Sequence, residues 1–238
     1  MREIFSRVED GLVVVVESEV DLECQKESPW LCSVFVKFVN NNSDFEGFDI
    51  FLETKESLIM ALEHENGAVY AGSRAKDDWN EFYFYAKSAK NLETVVAKML
   101  KESGYKYESS VVKDAKWDFY HKNLFPTELE FHNIESDKII FLLEEEGDEL
   151  STQRDVEHYV SFDTATQKDR FVENALECGF EFKDDISSEE FEHGVALIKK
   201  HSVVSEDVRK VVEELYQLAK KEHGYYEGWS TVLVAKDD

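Results

Sequence analysis

The sequence predicts an α+β protein made of two ferredoxin-like (βαββαβ) sandwich domains, the first with an extra N-terminal strand and the second with a leading helix. Three observations lead there. The order strand, helix, strand, strand, helix, strand reads twice along the 238 residues, a length that suits two ordinary domains. Thr127 and Glu130 have capping-box spacing directly after Pro126, which starts a new helix and sets domains at 1–126 and 127–238. Only two prolines occur and there is no Gly/Ser-rich tract, so no long flexible linker is expected.

In the first domain, Leu12-Val-Val-Val-Val16 follows Asp10-Gly11 and reads as a buried, β-branched strand, the extra one. Pro29-Trp30 opens the next strand. There Cys32, Val34, Val36 and Phe38 share a face, and Asn40-Asn-Asn-Ser-Asp44 supplies turn chemistry. Thr54 is placed to cap a helix that buries Leu58, Ile59, Ala61 and Leu62 and stops at Asn66-Gly67. Residues 68–74 and 79–86 read as a hairpin. Ser88 opens a second helix, with Leu92, Val95, Val96, Met99 and Leu100 on one face and Gly104 beyond its end. A strand over 105–112 follows, and the aromatic tail from Trp117 to Pro126 is suited to close an edge or seal one sheet face.

In the second domain, the helix or pair of helices after Thr127, broken near Ser136, carries Ile139, Ile140, Leu142 and Leu143. Residues 155–162 alternate as a strand, and Thr164 with Gln167 repeats the capping-box spacing into a helix burying Phe171, Val172, Ala175 and Leu176. Phe180 and Phe182 share a strand face, an acidic loop runs from Asp184 to Glu192, and Val195 and Leu197 alternate with Ala196 and Ile198. Ser205 caps the final helix, which presents Val208, Val211, Val212, Leu215 and Ala219. The closing strand starts at Tyr225; strict alternation puts Trp229 on the face of Tyr225 and Leu233, opposite Tyr226 and Val232.

Charge bounds the function. With 52 acidic and 27 basic side chains the formal net charge is −25, which repels phosphate backbones and favours basic protein partners. Cys24, Cys32 and Cys178 are expected as free thiols of a reducing compartment. The chain has no apolar span of membrane length and no signal core, so the cytoplasm is the expected location. No Gly-rich phosphate loop, catalytic triad signature or metal-ligand spacing is visible, so no catalytic residue, metal or cofactor is expected.

A family resemblance sharpens this. Asp155-Val-Glu-His-Tyr-Val-Ser-Phe162, Cys178-Gly-Phe-Glu-Phe182 and Tyr226-Glu-Gly-Trp-Ser-Thr231, preceded by the helix around Ile139-Ile-Phe-Leu-Leu143, resemble the bacterial regulator of ribonuclease E activity B (RraB) over most of the second domain. The first domain, through Asp78-Trp-Asn-Glu-Phe-Tyr-Phe-Tyr85 and Trp117-Asp-Phe-Tyr120, resembles a bacterial family of unknown function often fused ahead of RraB-like domains. The resemblance implies a non-catalytic protein that binds an endoribonuclease and lowers its activity. It departs from the family in having only Lys236-Asp-Asp238 beyond the strand where a longer acidic tail is usual.

Candidate partner-binding residues are Trp229, Tyr225 and Tyr226, as aromatic anchors, with Asp184, Asp185, Glu189 and Glu190 steering a basic partner. For Trp229 the competing reading is plain packing against a helix, and for His158, which shares a face with Val156, Val160 and Phe162, a hydrogen-bonded core position. Phe82-Tyr83-Phe84-Tyr85 has the look of a base-stacking sheet, but Glu81 stands where a basic residue is wanted, which argues against direct nucleic-acid binding. The alternative from another class is a small-molecule or enzymatic pocket at the domain junction, lined by Trp117, His121 and His158. Oligomeric state is left open by the sequence.

Overall fold

Asp10 and Gly11 take φ of 53° and 80°, the backbone that a two-residue hairpin turn requires, and join β1 (Glu3–Glu9) to β2 (Leu12–Ser18). The structure is a computed structural model describing residues 3–18, 22–38, 45–189 and 191–235; the expected turn at 40–44 lies outside these. The sequence reading had one extra strand here, and there are two. β1 was missed because its apolar residues are interleaved with Glu3, Ser6, Arg7 and Glu9. Nor is β2 buried throughout: Val14 and Val16 are, whereas Val13 is 65% exposed, since only one face of this hairpin meets a packed layer.

The chain divides into two compact units, residues 1–126 and 127–238. The first continues with β3 (Trp30–Lys37), α1 (Phe45–Asn66), β4 (Val69–Lys76), β5 (Trp79–Ala86), α2 (Leu92–Leu100), β6 (Lys106–Lys113) and α3 (Asp118–Asn123). Its antiparallel sheet has the order β1-β2-β4-β5-β3-β6. Cys32, Val34, Val36, Phe82 and Phe84 meet Phe51, Leu58 and Leu62 of α1 and Val95, Val96 and Leu100 of α2 in one core. Helix α1 begins well before the expected cap, so Thr54 sits inside it and returns its hydroxyl to the Ile50 carbonyl at 2.8 Å. Ser88 likewise precedes the helix it was expected to open and bonds the Lys90 amide instead. On the other sheet face Trp117 stacks on Tyr85 with centroids 3.9 Å apart, and its indole N–H donates to the Ser28 carbonyl. The aromatic tail therefore seals a sheet face. Gly72, at φ 143° in a bulge of β4, lets β2 approach so closely that an added Cβ would lie 2.1 Å from the Glu17 carbonyl oxygen. Gly72→Ala should lower the stability of this unit by about 2 kcal/mol or more, read as a shifted melting transition; an unchanged transition would contradict the close approach.

The second unit runs α4 (Glu128–Glu145), β7 (Arg154–Phe162), α5 (Ala165–Glu177), β8 (Glu181–Ile186), β9 (His193–His201), α6 (Ser205–Lys221) and β10 (Tyr225–Thr231), with sheet order β10-β7-β9-β8. Thr127 and Glu130 form the full capping box, and Thr164 caps α5. α4 is one helix: Ser136 does not break it, because its hydroxyl bonds the His132 carbonyl at 2.8 Å within the same turn. Ser205 does not cap α6; its hydroxyl donates to Asp137, and Ser202 bonds the Val204 amide and Asp207 instead. All three helices pack on one sheet face around Val156, Val160, Phe171, Leu197, Val212 and Leu215. Among the described residues no helix is long and apolar enough to cross a membrane.

A buried ion pair ties the ends of this unit together. Arg154 meets Asp148 through two parallel bonds of 2.6 and 2.7 Å, with the side chains 4% and 0% exposed. The same guanidinium donates to the carbonyls of Glu149 and Val232, and the Val234 amide donates to Asp148. The segment after β10 is thus held against the loop before β7.

Candidate functional site

With α4, α5 and α6 on one face, the opposite face of the second sheet carries none of its own unit's helices. Alternation sends Val156, His158 and Val160 of β7 inward and Asp155, Glu157 and Tyr159 outward. Register places Asp184 beside Ala196 and Glu181 beside Ile198 on this outward side. Lys183 pairs with Glu157, and Tyr159 bonds both Glu157 and Ser230.

At one end of this face, where β7 finishes and β10 begins, lies a cleft of about 330 Å³. Phe162, Phe191 and Tyr225 form its aromatic walls, Asp163, Glu192 and Glu227 bring three carboxylates, and Ser161 and His193 complete it. Ser161 donates its hydroxyl to Glu227. Among the described residues no lysine or arginine pairs with Asp163, Glu192 or Glu227, so the cleft presents uncompensated negative charge over apolar rings. Lys220 reaches the Tyr225 ring at 5.5 Å, which shows that the ring accepts a cation. That chemistry suits a lysine or arginine side chain of a protein partner.

Two family models match the chain: the family of unknown function DUF695 over residues 7–125 and the regulator of ribonuclease activity B, RraB, over residues 133–231. The chain belongs to DUF695 and carries an RraB domain behind it. Two solved structures are also similar, a proposed glycine cleavage system transcriptional repressor and an unknown protein from Galdieria sulphuraria. They share 12% and 9% identity over 86% and 87% of this chain and 98% and 100% of theirs, both at a TM-score of 0.25, too low to carry any argument. No curated protein matches the chain.

Within the RraB domain the predicted site residues divide. Tyr225 is 49% exposed and lines the cleft. Tyr226 and Trp229 are 3% and 6% exposed and both point into the core, which takes them out of the docking surface. The reason is a bulge: the register slips between Tyr226 and Gly228, and the extra residue returns Trp229 to the inner face. Trp229 donates its indole N–H to Ser136 at 2.9 Å, so the helix-packing reading holds for it. Asp184 and Asp185 belong to strand β8 rather than to a loop, and Asp185 is paired with Lys168. Phe182 faces the core side beside Leu197, yet it is 47% exposed where Phe180 is 2% exposed, because β8 is the edge strand of the sheet. Glu189 is exposed, and Glu190 lies outside the described residues. Of the residues named for a junction pocket, Trp117 and His158 are each 0% exposed, while His121 is exposed.

Reading the sequence missed Asp163, Glu227 and Phe191. The signal was present but indirect: a sheet order that sets β10 beside β7 brings the end of one to the start of the other, and hence Glu227 beside Ser161.

On the inner side of the same sheet lies a buried polar chain. His201 Nδ1 is 2.6 Å from the Ser202 carbonyl, which can only accept, so that nitrogen carries the proton. The neutral ring then accepts at Nε2, 3.2 Å from His158 Nε2, which must be the donor. His158 Nδ1 in turn accepts from the Tyr226 hydroxyl at 2.9 Å. Every donor in this neutral chain has an acceptor. Burial, with the neighbouring His201 and Lys199, pushes the His158 pKa down to about 3, and burial also lowers His201 and raises Tyr226. Such rings, closed off from solvent, orient strands β7, β9 and β10 rather than exchange protons with a substrate.

Proposed function

We propose that the protein is a non-catalytic regulator of ribonuclease activity, in which two ferredoxin-like domains, 1–126 and 127–238, are joined and the RraB domain docks on a basic surface of an endoribonuclease. Inhibition follows from occluding or restraining that enzyme. The family match supports the ribonuclease as partner class. The observation that carries the docking mode is the cleft in which Asp163, Glu192 and Glu227 have no lysine or arginine partner among the described residues and surround Tyr225, Phe162 and Phe191. A basic side chain of the enzyme entering the cleft gains charge-assisted bonds and ring contacts together, and the acidic face around Glu157, Glu181 and Asp184 speeds encounter. With a net charge of −25 the protein does not compete for the RNA itself. The free cysteines fit a reducing, cytoplasmic setting.

The test combines calorimetric binding of the full chain to a purified endoribonuclease of the ribonuclease E class with cleavage of a fluorescent RNA. Replacing Asp163, Glu192 and Glu227 by their amides should weaken binding by about tenfold or more and relieve inhibition in proportion, with association slowed by added salt. Tyr225→Ala should weaken it through slower-forming, faster-breaking complexes. Wild-type affinity in the triple amide variant would sink this docking mode, and no effect of the wild-type protein on cleavage would sink the function.

A further inference from the structure

Trp117 and α3 seal only part of the outer face of the first sheet. Phe119 lies against Tyr83 with ring centroids 4.5 Å apart, as Trp117 does against Tyr85. Towards the start of β5 the same face gives way to a cleft of about 250 Å³ lined by Phe35, Lys76, Asp77, Trp79, Glu81 and Glu108. Register fixes what surrounds its two rings. Glu81 of β5 and Glu108 of β6 stand opposite Phe35, one on each side, whereas Lys76 of β4 and Lys37 of β3 stand opposite Trp79. Lys106, the β6 partner of Lys37, holds its ammonium 5.7 Å from the Trp79 ring. One row of the sheet thus sets carboxylates beside a ring, and the next, about 7 Å along the strands, sets ammonium groups beside a ring.

These charges are held in place by the fold without being used up by it. Glu81 accepts from the Tyr83 hydroxyl at 2.6 Å and lies 3.6 Å from Arg74 Nε. Among the described residues no lysine or arginine pairs with Glu108 or Asp77. Lys76 and Lys37 reach Asp10 and Asp78 only at 3.5 Å, and those two carboxylates are 91% and 50% exposed, so water competes for both contacts. A ligand that fits has a cation to lie on Phe35 between Glu81 and Glu108 and an anion to meet Lys76 and Lys106 beside Trp79. An extended chain of about six bonds covers about 7 Å, which is how arginine and lysine separate their head group from their carboxylate. The cleft is small, which suits one residue rather than a longer molecule. We propose that the DUF695 unit binds arginine or lysine bearing a free α-carboxylate, as the free amino acid or as the last residue of a polypeptide, in the cleft between Phe35 and Trp79.

Titration of the full chain with L-arginine at physiological salt tests this, followed at the Trp79 indole N–H resonance, which Trp79→Phe identifies by its loss. The expected Kd is about 1 mM or tighter. Agmatine, which lacks the carboxylate, should bind about tenfold more weakly. Attraction to the net charge of −25 alone would instead favour agmatine, so the pair separates a built site from general electrostatics. Glu108→Gln and Lys76→Met should each weaken arginine by about tenfold with the melting transition unchanged. Neither touches the cleft at Asp163, Glu192 and Glu227, so this site and the endoribonuclease docking mode fail separately. A peptide ending in arginine, compared with its C-terminal amide, identifies the source: the free-acid peptide bound more tightly than arginine marks a chain terminus as the ligand, and the reverse marks the amino acid. No shift of the Trp79 signal with arginine or with the peptide up to about 10 mM, agmatine bound as tightly as arginine, or wild-type binding in both variants would each overturn the proposal.

Discussion

Arg154→Met is expected to destabilise the RraB unit by about 3–5 kcal/mol, because it strands the Asp148 carboxylate at 0% exposure without its cation. Two bonds to the guanidinium are lost, and the carbonyls of Glu149 and Val232 lose a donor with them. Replacing both charges, Arg154→Met with Asp148→Leu, should recover part of the loss, since no buried charge is then left uncompensated. Amide hydrogen exchange of β7 and β9 reports this unit separately from the other and gives the size of the effect. If the single substitution left exchange in these strands unchanged, the ion pair would have no structural weight. The segment after β10 should show the largest local increase, because Val234 is anchored through Asp148.

The second large effect is on pH. His158 keeps an ordinary histidine pKa of 6.5 when unfolded and about 3 when folded, so between those values the unfolded chain holds a proton that the folded chain does not. Stability is therefore complete above pH 6.5 and falls as pH drops below it, by up to about a factor of ten in the folding equilibrium per pH unit. From pH 7 to pH 5 the loss should be on the order of twentyfold from His158 alone. His201 and His132, both lowered chiefly by burial, add to it in the same direction. The carboxylates of Glu128 and Glu157, held below their usual 4.5 by Lys220 and Lys183, contribute only at lower pH, so the window from 7 to 5 isolates the histidines. Exchange of β7, β9 and β10 amides in that window measures the slope, and His158→Gln should reduce it. An imidazole signal of His158 titrating near 6.5 in the folded protein would show that the neutral chain from Tyr226 to Ser202 is wrongly drawn.

These two networks and the cleft were unequally visible in the chain. His158 as a hydrogen-bonded core histidine follows from its place among Val156, Val160 and Phe162, but its partners Tyr226 and His201 lie 68 and 43 residues away and meet it only through sheet pairing. Arg154 and Asp148 carry no motif at all. Their burial depends on the loop before β7 and the segment after β10 closing over them. Thr54 misled because threonine is a good cap only at a helix start, and α1 had already begun at Phe45.

Local chemistry determined the element types, the capping box at Thr127 and the side-chain cap at Thr164, the β-α-β-β-α-β order of each half and the acidity of the chain. Those features depend on neighbours within a few residues or on simple sums, so a linear reading suffices. Tertiary structure alone decided which way the aromatic residues of β10 point, since one bulge at Gly228 exchanges the faces beyond it and sends Trp229 into the core while Tyr225 stays outside. It likewise gathered Asp163, Glu192 and Glu227 from three separate places into one cleft. A strand's facing depends on register with its partner, and register is set by hydrogen bonds between residues far apart in sequence, which no local pattern records.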